Sequence, residues 1–257
     1  MSAPILVLPR FGDLKLKTVA FSAPKLYNSS MNAQQQKNRA AKSGYAKYVF
    51  LALYIIFAAL TVFTSARPGK VSENDSSVFT EIISAFKPLK DFGDYYGDFE
   101  GLLRKLCGHY ALFMLTGVFF ALTVFFFKKH IPLVIYLTFV SGIMLGGINE
   151  LIQYFVPLRN GAVTDVILDA HGYFTGGAIT TLFIAILTRH GFKKGDFLPA
   201  VLCALLSFAI DLFYIFGGTK NKNITVTLIF GNCLFLVVLI VFLVVTFVKK
   251  NKKVVSD

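Results

Sequence analysis

Hydrophobic and polar positions along this chain fall into long blocks, without the alternation of a strand or the two-sided face of a soluble helix. Six apolar blocks run from Lys47 to Ala66, His109 to Phe127, Ile131 to Val156, Val166 to Leu187, Phe197 to Phe216 and Thr225 to Val248. Each approaches or exceeds the roughly 20 residues with which a helix crosses about 30 Å of hydrocarbon. The pattern predicts an all-α polytopic membrane bundle of about six transmembrane helices. Between the first two blocks, "SVFTEIISAF" and "DFEGLLRKL" space apolar residues along one helical face, which suits helices lying along the membrane surface.

The few polar residues inside the blocks are regularly spaced. Gly142, Gly146, Glu150 and Gln153 share one helical stripe, and Asp165, Asp169, Gly172 and Gly176 share another. Small residues four apart let helices approach closely in lipid, so the two stripes are expected to face each other and bring their polar ends into one pocket. Lys105, His109 and Thr116 make a looser third stripe. Ala204, Ser207, Asp211, Tyr214 and Gly218 make a fourth.

Composition supports lipid as the solvent: 55% of residues are hydrophobic, only 16% are charged, and the mean hydropathy is +0.65. The net charge of +12 would raise nucleic acid as a partner in a soluble protein. Here the cations flank the apolar blocks, and no nucleic-acid role is expected. Eight Lys or Arg, counting Lys47 at its start, lead into the first block against Asp13 alone, which places the N-terminus in the cytoplasm. Lys128 and Lys129, then Arg189, Lys193 and Lys194, then Lys249, Lys250, Lys252 and Lys253 mark the even-numbered connections and the C-terminus as cytoplasmic too. His130 and His190 read as flanking residues.

This sidedness sets the depth of the polar groups. Glu150 lies about 28 Å up the third helix from Ile131, near the outer boundary, and Pro157 ends that helix. Asp165 and Asp169 open the fourth helix from the same side, as Lys105 and His109 open the second. His109, Glu150 and Asp169 suit acid and base chemistry, because burial and neighbouring charge can separate their proton affinities. Arg104, Lys105, Gln153, Arg159 and Asp165 suit binding of a polar headgroup, with the cations on a lipid phosphate or pyrophosphate. Asp165 is equally placed to cap its helix. His109, His171 and Glu150 lack an established ligand spacing, so no metal is expected, and no nucleotide loop points to a cofactor. Cys107, Cys203 and Cys233 read as buried thiols.

"RKLCGHYALFMLTG" (104–117) and "NELIQYFVPLRNGAVTDVILDAHGYFTGG" (149–177) resemble the VanZ-like family of bacterial membrane proteins. The shared pattern is a basic residue and a His opening one helix, then Glu and Gln, an Arg, an Asp, and a glycine-containing helix. The resemblance assigns the family positions to Lys105, His109, Glu150, Gln153, Arg159, Asp165 and Asp169. Relatives usually carry Asn where this chain has Asp169, which adds a titratable group or a salt bridge to Arg159. The founding member is associated with resistance to the glycopeptide teicoplanin.

The expected organisation is a basic cytoplasmic segment (1–46), a first span (47–66), an extracytoplasmic connection with surface helices (67–103), a VanZ-like core (104–187), and two further spans with a basic tail (188–257). The resemblance implies a multi-pass protein of the bacterial plasma membrane. Its partners would be membrane lipids and a cell-wall precursor or glycopeptide. Whether the pocket binds or catalyses stays open, and a transporter or lipid scramblase and a non-catalytic scaffold are the alternatives.

Overall fold

The computed structural model describes residues 25–188, 194–217 and 222–254. Residues 1–24, most of the expected basic segment, lie outside them, as do Arg189, His190, Lys193, Gly218 and the side chain of Tyr214. The chain divides into two compact units, Met1–Lys42 and Ser43–Asp257. All packing reported below is within the second.

Every regular element among the described residues is helical. In chain order these are α1 (Lys25–Ala66), α2 (Gly69–Ser84), α3 (Lys87–Tyr96), α4 (Phe99–Leu103), a π-helical stretch (Arg104–Ala111), α5 (Leu112–Lys128), α6 (Ile131–Phe155), α7 (Val163–Leu187), α8 (Lys194–Phe216) and α9 (Lys222–Val254). Five stretches are long and apolar enough to cross a membrane: Gly44–Ala66, Phe99–Lys128, Ile131–Phe155, Val163–Leu187 and Lys222–Val241. The protein is therefore a multi-pass membrane protein. α8 contributes a shorter apolar stretch, Val201–Phe213. "DFEGLLRKL" is helical but continuous with the second span, because Leu102 and Leu103 are buried and the helix carries on through the π stretch into α5.

α7 is the central helix. Its span is 67% buried, against 11% for that of α1. Glycine makes this position possible, because a methyl group on Gly172 or Gly176 would run into the carbonyl oxygens of Tyr110 and Met114, and one on Gly117 into that of Tyr173. The glycines of the two stripes accordingly do not meet each other as expected, although Gly146 touches Asp169 of the α7 stripe. Gly142 and Gly146 of α6 meet the Tyr173 ring and the Val166–Asp169 turn of α7, whereas Gly172 and Gly176 serve the opposite contact, with the second span. α7 needs small residues on two sides because two helices press against it.

Buried threonines return their hydroxyls to carbonyls one turn back, as Thr116 does to Leu112 and Thr181 to Gly177, so no donor is left facing hydrocarbon. α1 meets α5 through a ladder of ring pairs, Tyr48–Phe127, Phe50–Phe126, Tyr54–Phe120 and Phe57–Phe119. Large apolar side chains such as Ile56, Phe63, Phe183, Leu205 and Phe213 point away from the bundle, as lipid-facing residues do. Of the three thiols only Cys203 is buried; Cys107 is half-buried and Cys233 exposed on α9. The buried-thiol expectation fails at Cys233 because an apolar environment there need not be protein.

Candidate functional site

One end of the bundle gathers the start of the second span, the end of α6, the start of α7 and the end of α1. The π-helical stretch widens the second span where Gly172 presses on it, and Lys105, His109 and Tyr110 are all buried there. Such widened turns recur at functional positions. α6 brings Asn149, Glu150 and Gln153, all buried, and α7 brings Asp165 and Asp169.

These side chains form one hydrogen-bonded cluster. His109 Nδ1 is 3.0 Å from Asp169 Oδ1, with the carboxylate as acceptor, and 3.8 Å from Glu150 Oε1. Asn149 Nδ2 donates to Asp169 Oδ2 at 3.1 Å and, more weakly, to Glu150 Oε1 at 3.5 Å. Gln153 Nε2 donates to Glu150 Oε1 at 2.7 Å, and the backbone amide of Ala162 donates to Glu150 Oε2 at 3.0 Å. Asp169 is fully buried, yet both its oxygens have partners, which is what makes a carboxylate tolerable at such a position.

Asp165 does not cap α7. Ala162 occupies the cap position without a side-chain bond, and the Asp165 carboxylate instead takes Lys105 Nζ at 2.6 Å in a buried ion pair. The lysine reaches it from the second span. Asp169 likewise bonds His109 and Asn149, where the sequence offered a salt bridge to Arg159. Arg159 Nη2 donates to the Thr64 carbonyl of α1 at 3.1 Å. Burial, and after it the nearby Arg104 guanidinium, lower the Arg159 pKa from its usual value.

Beside the cluster is a cavity of about 280 Å³. His109, Asn149 and Gln153 line it, and so do Arg67, Arg104 and Arg159. Three guanidinium groups along one hollow give it a positive character. The arrangement thus sets acid and base groups beside a site electrostatically suited to phosphate or carboxylate.

The family model described as VanZ/LLP1 matches residues 50–184, more than half the chain. The chain belongs to the VanZ/LLP1 family. No curated protein and no solved structure matches it.

The VanZ/LLP1 match begins inside α1, whereas the sequence motifs were confined to 104–177. α1 has a structural reason to be included. Its Ser65 donates a short hydrogen bond to Asn149 Oδ1 and is reached by Gln153 Nε2 at 3.5 Å, and its Thr61 and Thr64 line the cavity. Sequence reasoning missed Ser65, Arg67 and Asn149. The signals were faint: a serine and an arginine at the end of an apolar block, and an amide next to the carboxylate that drew attention.

All eight predicted site residues of this VanZ/LLP1 protein lie at the same end of the bundle. His109, Glu150, Gln153 and Asp169 join in the cluster, Lys105 and Asp165 pair beside it, and Arg104 and Arg159 line the cavity. His171 does not join them. It lies on another side of α7, 3.2 Å from Asp211 of α8.

Proposed function

We propose that this VanZ/LLP1 protein resides in the bacterial plasma membrane and opens its polar chamber to the extracytoplasmic side. There the chamber binds an anionic lipid or cell-wall headgroup and, through His109, Glu150 and Asp169, exchanges protons with it. The physiological outcome is lower susceptibility to teicoplanin-type glycopeptides. The observation that carries the reading is a buried His–Glu–Asp cluster whose His109 lines a cavity that Arg67, Arg104 and Arg159 also line. The arginines neutralise and orient the headgroup, while the imidazole and carboxylates supply a donor and an acceptor beside it.

The test is a teicoplanin-sensitive bacterium expressing the protein or its Glu150→Gln and His109→Ala variants at matched membrane abundance. The wild type is expected to raise the inhibitory concentration and both variants to lose that effect. Variants that protect as well as wild type would instead favour a scaffold. A transport or scrambling role draws on a different observation, the buried His171–Asp211 pair. It would be supported by substrate movement in sealed vesicles that depends on Asp211.

A further inference from the structure

We infer that His109, Glu150 and Asp169 together hold a divalent transition-metal ion, Zn²⁺ or Mn²⁺, beside the cavity that His109 lines. The inference rests on the cavity being a headgroup site, and it names what would complete that site.

The donors come from three separate helices, so no local spacing in the sequence could announce them. One donor atom from each residue lies within 4.8 Å of the other two, and the His109–Asp169 and His109–Glu150 separations are 3.0 and 3.8 Å. Donors bound to one ion at about 2.0–2.2 Å sit up to about 4.4 Å apart, so small side-chain rotations close the set.

Charge argues in the same direction. Two buried carboxylates meet at one imidazole, Lys105 is held by Asp165 at 2.6 Å, and Arg159 is a cation whose field reaches Glu150. A divalent ion between the donors would balance the two carboxylates directly, without calling on the Lys105–Asp165 pair.

The surroundings are those of ligands held in place. Asn149 holds Asp169 Oδ2, leaving Oδ1 toward His109, and Gln153 and the Ala162 amide fix the two oxygens of Glu150. Outer partners of this kind orient metal ligands and tune their basicity. One imidazole with two carboxylates suits Zn²⁺ or Mn²⁺, whereas Mg²⁺ favours all-oxygen sites and keeps its waters. Because His109 also lines the cavity, an anionic oxygen entering from that side could take a remaining coordination position, with the arginines balancing the rest of its charge.

The experiment uses the full chain, purified in detergent, stripped with chelator and titrated with Zn²⁺ or Mn²⁺ alone. Saturable binding of about one ion per chain is expected, with a rise in thermal midpoint and, for Mn²⁺, a histidine nitrogen coupling in pulsed EPR. Asp169→Asn and Glu150→Gln, each nearly isosteric, should weaken binding by at least roughly tenfold. His109→Ala should abolish the nitrogen coupling, and Glu81→Gln on α2 should bind as wild type does. A folded wild type that takes up no stoichiometric metal, or uptake that survives both carboxylate variants, would overturn the inference.

Binding of vesicles containing phosphate-bearing anionic lipid, measured with and without chelator, separates the two claims. Lipid binding that needs Arg104 and Arg159 but persists in chelator, with no metal uptake, would leave the headgroup reading standing and sink the metal. Metal uptake lost in the ligand variants, without lipid binding, would do the reverse.

Discussion

Asp165 shows how a residue's neighbours decide its role. From sequence it was both a helix cap and a pocket carboxylate, and the structure gives it Lys105. Both side chains are largely buried, so removing one strands the other: Lys105→Met or Asp165→Leu alone should cost about 3–5 kcal/mol. Lys105→Met combined with Asp165→Leu should recover much of that loss. Unfolding in detergent across the four members of this double-mutant cycle measures the coupling. Glu150, Gln153 and Asp169 were legible from the sequence because a polar residue in an apolar block is costly and therefore conspicuous. Ser65 was not, since a lone serine at the end of such a block is common, and only the arrival of Asn149 from α6 gives it meaning.

At the scale of the element, the apolar blocks predicted where the helices lie, and periodicity identified which stripes are small. It could not say which neighbour each stripe meets. That depends on α7 being clasped from two sides, an arrangement visible only once three helices are packed. Nor did the residues announce the π-helical turn at Arg104–Ala111, because the extra residue per turn is accommodated against Gly172 of a distant segment. The consequence can be measured. Gly176→Ala, which drives a methyl group into the Met114 carbonyl, should destabilise the protein by about 1–3 kcal/mol. Gly147→Ala, where nothing lies within 4 Å, should be neutral or slightly stabilising. Thermal unfolding of the two variants in detergent compares them directly.

For the whole molecule, block lengths and composition were enough to establish a helical multi-pass protein, because lipid admits so few other solutions. Orientation rests on the cation distribution and makes its own prediction. In a background with Cys107, Cys203 and Cys233 replaced, Asn160→Cys between α6 and α7 should react with a membrane-impermeant maleimide on intact cells. Lys128→Cys at the end of α5 should react only after permeabilisation. The reverse pattern would turn the chamber toward the cell interior.

The bond from Arg159 to the Thr64 carbonyl fastens α1, a helix also held by ring pairs with α5 and by the Ser65–Asn149 bond to α6, to the rim of the chamber. The same guanidinium lines the cavity, so an anion bound there would share Arg159 with the Thr64 carbonyl and link the occupancy of the chamber to the seating of α1.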